Sequence, residues 1–338
     1  MSGLPAGVLP CFRNPPEFCA RGPPLSVKSL REIPASLMFL LPALVAGCEK
    51  SEGSAPEASA QASSAEPALS AVAPVAEGIA RAPREIEKIV NPKREQPYSG
   101  PTGTVAGTVV IKGDEAPANA QEKEIPAECL SARERYRQLF REGMLRSAPD
   151  VFVAVTGYSG YVPAKEDAVL VTGQGCAFDT RTVGMTFGQA LEVASKDSRA
   201  YVPELLGAHG VAQMVATPMG KPVEMYPTKP GRYVLVDSMR TFAKAEVLVV
   251  AYSTFDVTGM DGKFEIKGVP AGKVKLDALL PAVMVNVHKD ITVKANETTQ
   301  VELELEFDRA KWDEIVESVK NSGKPAKPEQ PAKAEKSL

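Results

Sequence analysis

The sequence predicts a mainly β protein: two antiparallel β-sandwiches with two short helices and disordered termini. Three observations point there. From about residue 101 to 320, short strand-like runs are punctuated by Gly and Pro, as strands joined by turns are. The segment Thr299 to Glu306 alternates cleanly, with Val301, Leu303, Leu305 and Phe307 on one face and glutamates on the other, which marks a half-buried strand of an antiparallel sheet. From Glu49 to about Gly100, and again in the tail from Gly323, the chain has few large apolar residues and cannot bury enough surface to offset the entropy of ordering it.

The N-terminal region reads as an export address. Ala35 to Ala46 (ASLMFLLPALVA) is an apolar run well short of the ~20 residues that cross a bilayer. Lys28 and Arg31 precede it and small residues follow, the order of a secretory signal. The run ends in Leu44-Val45-Ala46-Gly47-Cys48, which resembles the lipobox of bacterial lipoproteins. That resemblance implies that residues 1–47 are removed, that Cys48 is diacylated, and that a lipid anchor holds the protein to a membrane of the cell envelope. Glu49 behind the cysteine resembles the pattern of lipoproteins sorted to the outer membrane, facing the periplasm or the surface. Residues 1–26 fit no part of a signal, and a start at Val27 would leave one of ordinary proportions. Cys11 and Cys19 fall upstream of the cleavage point, so Cys129 and Cys176 remain as an even pair in an oxidising compartment, where disulfides persist. A bridge between them would stabilise by about 4 kcal/mol in the chain-entropy picture; two free buried thiols are the other reading.

From Glu49 to about Gly100 the chain is mostly Ala, Ser, Pro and Glu. It is expected as a disordered, lipid-anchored tether (48–100) with a short helical piece around Ile86 to Val90. Gly323 to Leu338 is a comparable Lys/Pro-rich tail. Within the body, strands are expected at Thr104 to Ile111, Val151 to Val155, Ala168 to Val171, Ala190 to Ala194 and Gly231 to Val236. Further strands are expected at Glu246 to Tyr252, Lys263 to Ile266, Lys273 to Ala278, Lys289 to Val293 and Thr299 to Glu306. One helix is expected over Ser131 to Arg146, with Tyr136, Leu139, Phe140, Gly143 and Met144 in a stripe and Arg133, Arg137 and Arg141 outside. Another starts at Asp308, a suitable N-cap, and runs to Lys320 with Trp312, Ile315, Val316 and Val319 at helical spacing; it is expected to dock on a sandwich (308–322).

Three consecutive pieces carry a further pattern: Phe255-Asp256-Val257-Thr258, then Asp261-Gly262-Lys263-Phe264-Glu265-Ile266, then Gly268-Val269-Pro270-Ala271-Gly272-Lys273. Asp-Gly makes a tight hairpin turn and Val-Pro-Ala-Gly a second turn before the next strand. The pattern resembles the carboxypeptidase regulatory-like repeat, a small prealbumin-type sandwich with a carbohydrate-binding-like fold, and Gly103 to Val109 resembles its first strand. The resemblance implies a discontinuous sandwich made of 101–127 and 251–307. The middle, 128–250, resembles a cupredoxin-like insert through Cys129, the strand Val151 to Val155, Gln174-Gly175-Cys176-Ala177-Phe178, Gly188 to Val193 and the Ser195-Lys196-Asp197 turn. In its copper-binding relatives a histidine follows that turn, and Cys-x-x-His-x-x-Met precedes the final strand. The matching positions here are Tyr201 and, counting back from Val247, Asp237, Arg240 and Ala243. A type 1 copper site needs a thiolate and two imidazoles, so these four are expected as vacated copper positions, with no metal and no cofactor.

The 338 residues include 39 Lys+Arg against 42 Asp+Glu, a formal charge of -3, which gives no electrostatic reason to expect nucleic acid. Only His209 and His288 are present, which argues against the His-rich sites of zinc hydrolases. Gly157-Tyr158-Ser159-Gly160-Tyr161 lacks the second glycine of a nucleophile elbow, Gly173-Gln174-Gly175 opens no phosphate loop, and spacing marks no catalytic carboxylate pair. The expectation is therefore a non-enzymatic envelope lipoprotein, a binding or scaffolding module for a protein, a glycan or a wall polymer. Tyr158, Tyr161, Tyr201 and Tyr226 would offer stacking faces in loops, and Arg199 with Arg240 would hold an anion near the vacated position. The alternatives are a copper-binding or electron-transfer protein with a site rebuilt from His209, Met214 or Met219 and an acidic ligand, and a carbohydrate-binding accessory module.

Overall fold

The computed structural model describes residues 80–207 and 214–322. The signal region, Cys48, His209 and the Lys/Pro-rich tail lie outside them. In chain order, α1 (Pro83–Val90) opens with Pro83 in the first helical turn, where its missing N–H is not needed. It is followed by β1 (Thr102–Gly113), α2 (Leu130–Tyr136) and β2 (Phe152–Thr156). Eight strands come next: β3 (Ala168–Gln174), β4 (Ala177–Phe178), β5 (Thr182–Thr186), β6 (Ala190–Ser195), β7 (Pro203–Leu206), β8 (Val223–Met225), β9 (Gly231–Asp237) and β10 (Arg240–Val250). The chain closes with β11 (Phe255–Val257), β12 (Lys263–Pro270), β13 (Gly272–Leu280), β14 (Val285–Val293), β15 (Thr298–Phe307) and α3 (Arg309–Ser322).

These strands form four sheets and two cores. In the outer sandwich, sheet β12-β1-β15 faces sheet β11-β2-β13-β14, enclosing Val105, Val153, Phe264, Leu276 and Leu303. In the inserted sandwich, sheet β5-β10-β9-β7 faces sheet β4-β3-β6-β8 around Val171, Leu191, Leu235 and Val247. A third, smaller apolar layer joins them: Phe152, Ala154 and Leu279 of one sandwich pack with Leu248 and Val250 of the other. Gly184 on β5 makes this approach feasible. A Cβ there would lie 2.8 Å from ring carbons of both Phe152 and Phe255.

Several expectations are corrected. Three of the four sheets are mixed, because β1 pairs with β15, β5 with β10 and β3 with β6 in parallel, whereas β11-β2-β13-β14 is wholly antiparallel. A strand whose chain visits other strands before returning as a neighbour need not come back reversed, as a hairpin must. The alternation of β15 holds, with Val301, Leu303, Leu305 and Phe307 buried, but its partner β1 runs parallel to it. The strand at Val151 to Val155 belongs to the outer sandwich, between β11 and β13, and not to the insert. Residues 80–100, expected as tether, are ordered: Ile86 and Val90 of α1 pack on the insert core, and the Tyr98 N–H donates to the Tyr161 carbonyl at 2.7 Å. With α1 there are three α-helices among the described residues rather than two.

The helix expected over Ser131 to Arg146 stops at Tyr136, for a reason the stripe conceals. Tyr136 belongs to the insert core, whereas Phe140 belongs to the outer core, so no straight helix serves both. Beyond α2 the backbone pairs instead with residues 117–119, through Leu139 N–H to Pro117 and Asn119 N–H to Arg137. Met144, expected in the apolar stripe, is 87% exposed. Arg141, expected outside, is half-buried and holds the buried Asp150 in a two-bond ion pair at 2.5 and 2.7 Å. On α3, Asp308 caps as expected, accepting the Lys311 N–H at 3.1 Å, and Trp312 packs on the outer core. Ile315 and Val319 remain about half exposed, so the docking is confined to the first turns.

Gly184→Val forces branched carbons into the space of two phenyl rings. It should destabilise the protein by about 1–3 kcal/mol, the usual cost of overpacking, measured by denaturant unfolding. Wild-type stability in that variant would show that the sandwiches do not stack through these rings.

Candidate functional site

The residues expected near a vacated metal position converge at one end of the insert. The β3–β4 hairpin turns through Gly175 and Cys176, both at positive φ (61° and 65°), the conformation a two-residue primed turn requires. Cys176 is disulfide-bonded to Cys129 at a Cα–Cα distance of 5.6 Å, as the cysteine count led one to expect. Next to the turn, Gly173 has no side chain because the Tyr201 ring occupies the space; a Cβ would lie 2.6 Å from it. The buried Tyr201 hydroxyl accepts the Cys176 N–H at 3.1 Å and donates to Asp197 Oδ2 at 3.4 Å. Burial, foremost, pushes the Tyr201 phenol up to about 12, so it stays protonated at neutral pH.

Asp237 and Arg240 complete the cluster from the β9–β10 turn. Asp237 is fully buried; its Oδ1 accepts the N–H groups of Val202 (3.0 Å) and Met239 (3.2 Å), and its Oδ2 is ion-paired to Arg240. The Arg240 guanidinium also donates to the Ala200 carbonyl at 3.1 and 3.2 Å and lies 4.9 Å from the centre of the Tyr201 ring, a cation–π contact. Of the four expected positions, Tyr201, Asp237 and Arg240 are thus joined through the Arg240 guanidinium. The fourth, Ala243, is buried in the same core.

This arrangement does not provide the expected pair of free cations. Arg240 is neutralised by Asp237, and Arg199 Nη1 lies 3.4 Å from Asp197 Oδ2. Burial works against the Asp197 charge, but the N–H groups of Arg199 (2.8 Å) and Gly175 (2.7 Å), with the Arg199 guanidinium, outweigh it and hold the carboxyl below the usual range. No side chain in the cluster is poised as nucleophile or general base.

The other candidates scatter. Met214 packs partly buried against the insert core, Met219 is 78% exposed, and His209 lies outside the described residues. His288 sits on β14 opposite Asp277, in the outer sandwich. Of the expected tyrosine faces, Tyr201 is core, the Tyr158 hydroxyl is 2.8 Å from Thr254 Oγ1, the half-buried Tyr161 bridges to Pro97, and Tyr226 bonds Glu224 at 2.8 Å. Among the described residues no group of three or more His, Cys, Asp or Glu is placed to hold a metal ion. No described helix is long and apolar enough to cross a membrane. Sequence reasoning missed the role of Gly173 and the bonds of Asp197 to Gly175 and Tyr201; these contacts are tertiary, and no local motif announces them.

No protein-family model matches the chain, and no curated protein matches it. Among solved structures, an amicyanin variant in its reduced state is similar at 15% identity and a TM-score of 0.22, over 24% of this chain and 81% of that one. Amicyanin from Paracoccus versutus gives 17% identity and 0.22, over 26% and 84%. The copper-containing nitrite reductase of Thermus scotoductus gives 19% and 0.22, over 28% of this chain and 25% of that one. These neighbours are cupredoxins; the mainly β class itself stands on the four sheets.

The unfolded carboxyl of an aspartate titrates near ~3.9. Because the native value of Asp197 is lower, its stabilisation is complete above that range and lost as the pH falls through the native value. Asp197→Asn should therefore lower the melting temperature at pH 7 and flatten the acid limb of the stability profile below roughly pH 4. An unchanged acid limb in a pH series of thermal melts would remove Asp197 from this role.

Proposed function

We propose that this chain is a non-enzymatic lipoprotein of the cell envelope, anchored through Cys48, whose paired sandwiches bind or scaffold a protein, a glycan or a wall polymer. The observation that carries the proposal is the cluster at the end of the insert. Where copper-binding relatives of the resembled group present soft ligands, this chain has a buried tyrosine ring, a stacked guanidinium and a buried carboxylate already joined to one another. A cation there would meet the Arg240 charge and would have to break the Asp237 pair, which costs several kcal/mol when one partner of a buried pair is lost. The cluster acts as a lock between the β9–β10 turn and the disulfide-bonded hairpin.

The envelope setting is supported by the signal-like run, the lipobox resemblance and the Cys129–Cys176 disulfide, which suits an oxidising compartment. The resemblance of 101–127 and 251–307 to the regulatory-like repeat supports binding rather than turnover.

Two measurements test the proposal. The full chain, loaded with Cu(II) and desalted, should retain no stoichiometric copper and show no visible band; retained copper would instead establish a site rebuilt around His209. In a bacterial host, the chain should incorporate labelled palmitate and fractionate with membranes, and Cys48→Ser should lose both properties. Labelling that persists in Cys48→Ser would overturn the anchor.

A further inference from the structure

A cleft of about 80 Å³ lies where the two sandwiches meet, lined among others by Asn119, Asp150, Arg181, Thr182, Lys244 and Glu246. A water's share of liquid is ~30 Å³, so the cleft has room for a few waters or one small ion. Its charges are unevenly satisfied. Asp150 is held by both Arg141 bonds, and both Glu246 oxygens are held by Arg232, at 2.8 and 2.9 Å. Among the described residues neither Arg181 nor Lys244 forms a close ion pair; Asp150, Glu246 and Glu124 act on them only at longer range. Arg181 donates only to main-chain carbonyls, those of Arg135 (3.2 Å), Gln138 (3.1 Å) and Leu139 (2.6 Å), and Lys244 Nζ donates only to Gln121 Oε1, at 3.0 Å.

A buried Arg181 and a half-buried Lys244 face one cleft, bonded to neutral oxygens and, for Arg181, stacked 5.7 Å from the Tyr136 ring centre, a costly arrangement unless an anion offsets them. We infer that the junction cleft is a binding site for a phosphate group, held between the Arg181 guanidinium and the Lys244 ammonium. The carboxylates that share the lining are neutralised by Arg141 and Arg232, so they leave a surplus of two positive charges, which matches a tetrahedral oxyanion carrying up to two negative ones. The planar guanidinium has donors left over: three of its five N–H groups are used by the carbonyls. As further support, burial and then the Arg181 charge push Lys244 below the usual lysine range, and the opposing pull of Glu246 and Glu124 does not restore it. The site is distinct from the Tyr201 cluster and stands or falls independently of the proposed function.

The test is thermal unfolding of the full chain against inorganic phosphate at constant ionic strength, with chloride as the balancing anion. The melting temperature should rise saturably, by about 5 °C at a hundredfold excess over Kd. Lys244→Gln should weaken phosphate binding at least tenfold by calorimetry. Without phosphate it should melt no lower than the wild type, since it removes an uncompensated charge. Lys273→Gln, exposed on β13, should bind as the wild type does. Glycerol phosphate binding as tightly as inorganic phosphate would identify the terminus of a larger molecule as the source, and inorganic phosphate binding alone would identify the free ion. No saturable rise, or an equal rise in Lys244→Gln, would overturn the assignment.

Discussion

The Arg181 guanidinium gathers three main-chain carbonyls from the end of α2 and the two residues just beyond it, and the passage of the chain between its two cores depends on that contact. Tyr136 must reach one core and Phe140 the other, so the helix has to end where its last carbonyls are already buried. Orphaned carbonyls in such a place cost about 1–3 kcal/mol each; a cation at the helix C-terminus satisfies them and suits the dipole. The next residue, Thr182, donates its hydroxyl to the Asp150 carbonyl at 2.8 Å, and the Asp150 N–H donates to Thr258 at 3.1 Å. Two adjacent residues at the start of β5 thereby hold the crossing segment and the outer sandwich together. The apolar layer of Phe152, Leu248 and Leu279 packs beside this hydrogen-bonded crossing.

The insert shows a related economy at its far end. Tyr201 links the disulfide-bonded hairpin to Asp197 through its hydroxyl and to the β9–β10 turn through its ring. The disulfide closes a loop with a sequence separation of 47, worth about 4 kcal/mol in the chain-entropy picture, and the tyrosine fixes the orientation of that loop's end. On the proposed reading, a position used for chemistry elsewhere serves here as internal bracing, and recognition falls to the junction and to the sandwich faces.

The sequence made some of this legible and concealed the rest for identifiable reasons. The alternation of β15, the Asp308 cap and the Cys129–Cys176 pair each depend on local pattern or simple counting, and each is present. Counting back from Val247 found Asp237 and Arg240, which do meet Tyr201. The long helix failed because periodicity reports that Tyr136 and Phe140 are both apolar, without reporting that they serve different cores. β2 was placed in the wrong sandwich for the same reason: its Val153 and its Phe152 face different layers, so it reads as buried on both sides whichever sheet it joins. β4, β7, β8 and β11 are two to four residues long, too short for alternation to register. Arg181 and Lys244 lie 63 positions apart in a sequence rich in other cations, and only the fold sets them over one cleft.

The parallel pairing of β1 with β15 has a mechanical consequence. The first strand of the body enters at one end of the sheet and the last one leaves at the opposite end, with residues from Thr104↔Thr298 to Gly113↔Phe307 in register. Tension applied between the two ends of the body would pull these strands lengthwise past each other. Ten registered positions would then bear the load together in shear, instead of opening one after another like a zipper. A body joined this way would resist stretching far better than its equilibrium stability alone suggests.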